Sequence, residues 1–385
     1  MRFLFCSVSA HGHVLPLVPL MEAARSEGHD VALIGSGGMA DVVRAELPVG
    51  VEYLPAGPMP FELAVEAARR TGGDVMAPSA EGVGEIFGGI VLERAADDAV
   101  AAARSWRADV VISEVYCTVG PFVAAVLGLT WHEVRMTTAM PAEWVQAIDR
   151  ATARHYDERG LSPVAASSVL DLWPAKLRDP VGDLPANVPV LPVRTRAHRR
   201  PRGAGPSSVP AFGDRLRPRV LVTLGTVFSD TGLLDSVVDA VAGNDVDVLA
   251  TLGLSLQGGA GVGRDREGAG GGSVKFVSFV PIDELLDEVD LVVGVGGAGT
   301  TLAALSRGIP LVLWPQGADQ PAIAERVSAA GAALTVGALS EIGPAVAEAL
   351  TATTYWKSAG DVAQSIADTP APPEVIRLLA SGAQR

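Results

Sequence analysis

The sequence predicts an α/β chain with two doubly wound parallel sheets, each in a domain of its own. Short apolar runs recur along the chain, helical stretches separate them, and a proline-rich segment divides the chain in two. At about 150 residues per domain, 385 residues suggest two domains. Hydrophobic residues make up 48% and charged residues 19%, so there is enough apolar material to bury two cores.

The strand signals are continuous apolar runs, which are typical of strands covered on both faces and therefore of parallel sheets. The helical stretches between them include 17–29 and 300–308, with Gly28 and Gly308 where C-terminal caps are expected. Alternating strands and helices favour doubly wound sheets. The predicted strands are 3–8, 30–34, 109–113 and 132–136 in the first half, and 219–224, 246–252, 274–279, 290–295 and 311–314 in the second.

Composition also predicts the boundaries between domains. Residues 185–218 are rich in proline and carry a basic cluster at 194–202, which is more typical of an exposed linker than of a phosphate site. We predict an N-terminal domain at 1–200, a linker at 201–217, a C-terminal domain at 218–370 and a terminal helix at 371–385. The glycine-rich stretch 256–273 is interpreted as a surface loop, and 141–180 as a helical cap on the first domain.

Charge and cysteine content exclude several classes of protein. With 30 basic and 44 acidic residues the net charge is −14, which disfavours binding to nucleic acid or to an anionic membrane. Cys6 and Cys117 are too few for a disulfide framework and are expected to be buried. The sequence contains no membrane-spanning stretch and no signal peptide pattern, so we expect a cytoplasmic protein.

Two histidines and a carboxylate follow predicted strands of the first half. His11 and His13 come after the first strand, and Glu114 comes after the strand at 109–113. Ligands of doubly wound sheets bind beyond the carboxyl ends of the strands, where these side chains can meet. A carboxylate orients an imidazole and stabilises its cation after proton uptake. The residues alone leave open whether the histidines are catalytic or merely polar loop residues.

A glycine-rich turn follows the strand at 290–295 and opens a helix. Free amides and the helix dipole there favour an anion such as a diphosphate, and hydroxyl groups add hydrogen bonds. The turn lacks the lysine of a P-loop, which disfavours an ATPase, and a purely packing role is the alternative. The residues concerned are Gly296, Gly297, Gly299, Thr300 and Thr301, with a similar turn at Gly225 and Thr226.

Asp319 and Gln320 follow the strand at 311–314, at the same predicted sheet edge. A carboxylate and an amide together accept and donate the hydrogen bonds that sugar hydroxyls need. The alternative for Asp319 is capping of the helix that follows.

Four stretches resemble the inverting glycosyltransferases of the two-domain GT-B fold, in particular the bacterial antibiotic and macrolide enzymes. The most specific is 279–334, which contains GVGGAGTT and WPQGADQP. The others are HGHVLPLVPL (11–20), VLVTLGT (220–226) and APPEVIRLL (371–379). The likeness covers nearly the whole chain and is weak in 60–105 and 140–215. It implies two Rossmann-like domains that face a deep cleft, with the terminal helix returning to the first domain.

The resemblance implies a role for each candidate residue. His13 matches the base that deprotonates the acceptor hydroxyl, and Glu114 stands where the family usually has an aspartate. His11 and Trp144 are predicted acceptor contacts in the first domain. The predicted donor contacts are Phe279 and Val280 for the nucleotide base, Gly296, Gly297, Gly299, Thr300, Thr301 and Thr226 for the diphosphate, and Asp319 and Gln320 for the sugar.

One position departs from the family pattern. Val295 stands where a histidine usually contacts a phosphate oxygen. A charge-assisted hydrogen bond is worth about 1.5–3 kcal/mol, so its loss corresponds to about one to two decades in donor affinity.

These observations predict a metal-independent, inverting glycosyltransferase without a cofactor. It would move a sugar, expected to be a deoxysugar carried by dTDP, to a lipophilic natural-product aglycone. Val295 and Glu114 motivate an alternative, a catalytically weak relative that serves as an auxiliary protein in a biosynthetic complex. A GT-B epimerase is a third hypothesis, which the His13 motif disfavours. The partners are then small molecules, and monomer or homodimer stays open.

Overall fold

The computed structural model describes residues 1–75, 77–138, 140–178, 187–199, 209–225, 231–253, 265–278 and 280–382. The described residues divide into two compact units. The first comprises those of Met1–Trp173, Val181–Val193 and Pro370–Arg385, and the second those of Pro174–Pro180 and Arg194–Thr369. None of the described helices is long and apolar enough to cross a bilayer.

The first unit is built on a seven-stranded parallel sheet. Its strands are β1 (Arg2–Cys6), β2 (Asp30–Gly35), β3 (Val51–Pro55), β4 (Val110–Glu114), β5 (Thr130–Arg135), β6 (Ser168–Asp171) and β7 (Val190–Pro192). Their order is β3-β2-β1-β4-β5-β6-β7. Phe3 of β1 pairs with Val31 on one side and with Val110 on the other, so β1 is central. The order reverses at β1 and β4, where doubly wound sheets bind ligands.

The second unit is built on another seven-stranded sheet. Its strands are β8 (Arg219–Thr223), β9 (Asp247–Thr251), β10 (Arg266–Glu267), β11 (Ser273–Val277), β12 (Leu291–Gly294), β13 (Leu311–Leu313) and β14 (Ala333–Thr335). Their order is β10-β11-β9-β8-β12-β13-β14, and β10 alone is antiparallel to its described neighbour. The predicted α/β class with two doubly wound sheets is confirmed.

Helices flank both sheets. Those of the first 200 residues are α1 (His11–Val14), α2 (Val18–Ser26), α3 (Ala40–Arg44), α4 (Pro60–Thr71), α5 (Ala80–Gly84), α6 (Ile90–Trp106), α7 (Val119–Leu127) and α8 (Ala142–Asp157). The later ones are α9 (Thr231–Ala242), α10 (Ile282–Leu285), α11 (Ala298–Ser306), α12 (Gln320–Ala329), α13 (Ile342–Thr351), α14 (Thr353–Ala367) and α15 (Pro372–Gly382). Within the first unit α15 packs on α2, where Arg377 pairs with Glu27 at 2.6 Å.

The central strands follow the predicted runs, whereas the prediction for 141–180 is wrong beyond Asp157. Among the described residues of this range, up to residue 178, only α8 is helical over more than one turn, and β6 adds a strand to the sheet. Trp173 is buried, with 2% of its surface exposed, so it packs in the core instead of lining a cap. The glycine-rich stretch 256–273 is not all loop, because it contains β10; its residues 256–264 lie outside the described part.

Arginine side chains of the basic segment 194–199 bind acceptor groups of the second unit. Arg194 Nε donates to the carbonyl of Thr369 at 2.9 Å, and Arg199 pairs with Asp283, which also binds Arg307. Arg194 and Arg199 are both exposed, as the linker interpretation expected, and they make surface contacts in addition. Residues 201–208 of the predicted linker lie outside the described part, and 209–217 contain neither helix nor strand.

Cys6 and Cys117 are both buried, as predicted, in the core between the sheet and the helices α6 and α7. Burial raises the pKa of the Cys117 thiol to about 12 and that of Cys6 well above its usual value. Both thiols therefore stay protonated at neutral pH and are poor nucleophiles.

His132 on β5 makes the folded state sensitive to acid. It is 7% exposed, its Nδ1 lies 2.8 Å from Ser168 Oγ on β6, and burial lowers its pKa from 6.5 to about 4. The folded state disfavours protonation of His132, whereas the unfolded state allows it. The contribution of neutral His132 to the free energy of unfolding is therefore complete above pH 6.5 and is lost as the pH falls. By pH 4 the loss is about 3 kcal/mol of unfolding free energy.

We expect His132→Asn, which keeps a hydrogen-bonding group near Ser168 but does not titrate, to remove that loss. Urea unfolding at pH 7.5 and at pH 4 measures it in the variant and in the native protein. His29 and His155 have lowered pKa values as well and contribute to the acid sensitivity of both proteins. The effect of His132 is therefore the loss of stability between pH 7.5 and pH 4 in the native protein minus the loss in the variant. Equal losses in both would show that His132 does not cause the acid sensitivity.

Candidate active site

The structure brings two predicted catalytic residues together in the first unit. β1 and β4 are adjacent and in register from Phe3↔Val110 to Cys6↔Ser113, so their carboxyl ends lie side by side. The chain after β1 forms α1, which carries His13, and Glu114 is the last residue of β4. His13 Nδ1 lies 3.2 Å from Glu114 Oε1.

The Glu114 carboxylate is buried and held by backbone amides. Oε1 accepts from the N–H of Val8 at 2.9 Å, and Oε2 accepts from the N–H of Tyr116 at 2.8 Å. Because a carboxylate only accepts, the bond to His13 places the imidazole hydrogen on Nδ1 and the lone pair on Nε2. The His13 side chain is 23% exposed, so the pair combines a buried carboxylate with an imidazole that is partly open to solvent.

The two predicted acceptor contacts lie in different surroundings. His11 is buried at the start of α1, two residues before His13. Trp144 is half-buried in the first turn of α8. Their role in binding an acceptor stays a prediction.

The glycine-rich turn of the second unit joins β12 to α11, as the sequence predicted. Gly296 has φ +90°, a conformation that favours glycine. Gly297 occupies the N-cap position, where no described side chain caps the helix, and the first turn of α11 carries no acidic residue. The positive end of the helix is therefore not neutralised by these residues and can attract an anion.

A small cavity of about 20 Å³ lies at the foot of this turn. Thr301 is fully buried, lines the cavity, and its Oγ1 has no hydrogen-bond partner among the described residues. This volume suits a single water molecule and is too small for a diphosphate. On the same turn Gly299 is exposed, and Thr300, which also lines the cavity, is half-buried.

Val295, at the predicted point of departure from the family pattern, is 4% exposed and belongs to the core of the second unit. It also lines the small cavity. It therefore adds an apolar wall where a histidine would add a hydrogen-bond donor.

The loop after β13 carries Asp319 and Gln320 at the start of α12. Asp319 occupies the N-cap position but its side chain makes no capping bond, so the capping alternative is wrong. Gln320 Oε1 accepts from the N–H groups of Gln316 at 2.8 Å and Gly317 at 3.3 Å, which leaves its Nε2 hydrogens outside these bonds. Ala318 has φ +54°, a strained conformation costing about 1–2 kcal/mol that sequence patterns did not signal.

Of three further predicted donor residues, Thr226 and Phe279 lie outside the described part of the chain. Val280 is buried, at 7% exposed. Gly225 has φ +76° at the end of β8 and, like Thr223, lines the small cavity.

Two doubly wound seven-stranded sheets, with a histidine–carboxylate pair in one unit and an uncapped glycine-rich helix start in the other, define the class of this chain. It has the GT-B fold of glycosyltransferases.

Comparisons with known proteins agree with this class. Residues 237–381 match a protein family that is described as "Erythromycin biosynthesis protein CIII-like, C-terminal domain". The chain is 28% identical to the elloramycin glycosyltransferase ElmGT of Streptomyces olivaceus, over 97% of this chain and 96% of that protein. It is also 28% identical to the tylactone mycaminosyltransferase of Streptomyces fradiae, over 87% and 81%.

Among solved structures, the glycosyltransferase SsfS6 of Streptomyces sp. SF2575, in complex with thymidine diphosphate, matches with a TM-score of 0.80. The two are 27% identical, and 99% of each chain is covered. The protein is therefore similar to antibiotic glycosyltransferases over nearly its whole length.

Proposed function

We propose that this protein transfers a deoxysugar from dTDP to a lipophilic natural-product aglycone, with inversion at the anomeric carbon and without a metal ion. The observation that carries the proposal is the contact between His13 and Glu114, which supplies an oriented base where a doubly wound sheet binds ligands. The thymidine diphosphate bound to the related SsfS6 supports dTDP as the carrier.

In the proposed reaction His13 Nε2 takes the proton of the acceptor hydroxyl. The acceptor oxygen bonds to the anomeric carbon while the bond from that carbon to the diphosphate oxygen breaks. This single displacement inverts the anomeric centre. Glu114 holds the imidazole and stabilises its cation, and the nucleoside diphosphate leaves with the electron pair.

The second unit is proposed to bind the donor. Amide N–H groups at Gly297–Thr300 and the dipole of α11 stabilise the charge that develops on the diphosphate, in the role that a metal ion would otherwise have. The N–H of Thr301 does not take part, because it donates to the carbonyl of Gly297 at 3.0 Å. Val280 and Phe279 are assigned to the nucleotide base. Asp319 and Gln320 are assigned to the sugar hydroxyls, which fits the Nε2 hydrogens of Gln320 that its loop contacts do not use.

The proposal is tested first by calorimetry with dTDP and with UDP. We expect one dTDP bound per chain, more tightly than UDP. Incubation with dTDP-sugars and a panel of polyketide aglycones then gives a glycoside, detected by mass spectrometry. Its anomeric configuration, read by NMR, is opposite to that of the donor, and retention would contradict the single displacement.

Val295 favours a second candidate, an auxiliary protein of a biosynthetic complex that binds no nucleotide sugar. An apolar side chain there contributes nothing polar to a phosphate. If neither dTDP nor UDP binds at millimolar concentration, the auxiliary function is supported and sugar transfer is contradicted.

A further inference from the structure

A π-helical turn interrupts the helical stretch that runs from α5 to α6. It spans Glu85–Gly89 and carries Phe87, whose ring centroid lies 5.4 Å from that of Tyr116. The Tyr116 ring in turn meets the His13 imidazole edge-on, at 5.5 Å and an interplanar angle of 75°. Such turns are rare and occur frequently at functional sites. Here a chain of three rings links the turn to the histidine.

Side chains from two helices fasten the backbone of the turn. Thr118 Oγ1 donates to the carbonyl of Phe87 at 2.5 Å. Thr118 occupies the N-cap position of α7 but makes no capping bond, so its hydroxyl serves the turn instead. From α8, His155 Nε2 donates to the carbonyl of Gly89 at 2.9 Å. The turn is thus fixed to α7 and to α8.

Two glycines let the turn lie directly against α8. A Cβ at Gly84 would approach the carbonyl oxygen of Ala147 to 2.7 Å, and a Cβ at Gly88 would approach that of Ile148 to 2.9 Å. Backbone atoms cannot yield at such distances, so both positions require glycine. The position of Phe87 is therefore set by close packing.

Tyr116 contacts both members of the catalytic pair. Its backbone N–H donates to Glu114 Oε2, and its ring packs on His13. The ring is buried, because Tyr116 is only 8% exposed, and Phe87 packs against the same core. A shift of the Tyr116 ring therefore alters the surface against which the imidazole rests.

We propose that the π-helical turn is a positioning device for His13. Phe87 holds the Tyr116 ring, and that ring holds the imidazole in the orientation in which Nδ1 meets Glu114. Phe87 and Tyr116 are then positioning residues for the base. This inference rests on the proposed function only in that it takes His13 to be the base.

The test reads the tautomer of His13 by NMR in the full chain labelled with ¹⁵N-histidine. The chain has six histidines, and His13→Gln identifies the signal of His13. At roughly pH 9, well above the ordinary histidine pKa of about 6.5, the native protein is expected to show the Nδ1–H tautomer. Phe87→Leu keeps apolar bulk but removes the ring. We expect it to raise the ratio of Nε2–H to Nδ1–H by about two- to tenfold, the equivalent of one aromatic pair.

Thr118→Val tests the same device without changing any ring. It keeps the side-chain shape but removes the donor to the Phe87 carbonyl, so the ratio shifts in the same direction. Phe61→Leu, at a position 65% exposed on α4, leaves the ratio as in the native protein.

An unchanged tautomer ratio in Phe87→Leu and Thr118→Val, with native circular dichroism and melting temperature, would overturn the proposal. An equal shift in Phe61→Leu would overturn it too, because the effect would not depend on the ring chain. If Phe87→Leu fails to fold, Thr118→Val decides alone. The measurement needs neither donor nor acceptor. A failure of dTDP binding therefore counts against the proposed function and not against this device.

Discussion

Replacing His13 with glutamine is expected to lower kcat for sugar transfer by about 10²–10⁴-fold, the range that a positioned general acid or base contributes. The amide cannot accept the proton of the acceptor hydroxyl. Affinity for dTDP is expected to stay unchanged, because the proposed donor residues belong to the other unit. Steady-state kinetics with a dTDP-sugar and an aglycone that the native protein accepts, together with calorimetry with dTDP, measure the two quantities.

His29→Gln provides the matched control. His29 precedes β2, so it lies at the amino edge of the same sheet, opposite to His13, and its replacement should leave kcat within a few-fold of the native value. Glu114→Gln is less suitable, because one amide oxygen cannot replace a carboxylate that accepts three N–H groups. A buried unpaired group costs about 1–3 kcal/mol of stability. Transfer by His13→Gln at nearly the native rate would exclude His13 as the base.

Gly299→Ala is expected to stabilise the fold and to weaken donor binding. Gly299 lies in the first turn of α11, is exposed, and a Cβ there would meet no described atom within 4 Å. Alanine in place of glycine within a helix contributes up to about 1 kcal/mol. If a diphosphate approaches the backbone at this turn, however, the new methyl group lies in its path. We expect the Kd for dTDP to rise about tenfold or more, while the unfolding midpoint in urea increases.

Gly360→Ala separates the two effects. Gly360 is an exposed glycine inside α14, and a Cβ at this position would likewise meet no described atom within 4 Å. This variant should gain stability and keep the native affinity for dTDP. Native affinity in Gly299→Ala would place the diphosphate elsewhere and remove the basis for the donor assignment.

The central strands could be predicted because burial on both faces leaves a continuous apolar run, as in β1, β4, β8 and β12. Strands near the sheet margins lack this signal. β3 has a single buried residue, Tyr53, β7 is half-buried and contains Pro192, and β10 has two residues. These segments are stabilised by the neighbouring strands of the folded sheet. A pattern read from a few consecutive residues carries no information about such neighbours, so these strands could not be predicted.

The candidate site was predictable to a similar degree. His13 and Glu114 could be placed at one sheet edge because each follows a recognisable strand, and parallel strands share their carboxyl edge. The contribution of Tyr116 was not predictable, because it depends on a ring contact and a backbone amide. The π-helical turn and the positive φ of Ala318 likewise arise from tertiary packing.

The burial of Cys6 and Cys117 has a practical consequence for spectroscopy. Both sulfurs are enclosed, and their thiols hold their protons to far above neutral pH. Maleimide dyes react with exposed thiolates, so the two native cysteines should not be labelled. One cysteine introduced on each unit would then be labelled selectively, and energy transfer between the two dyes would measure whether the distance between them changes when nucleotide is added.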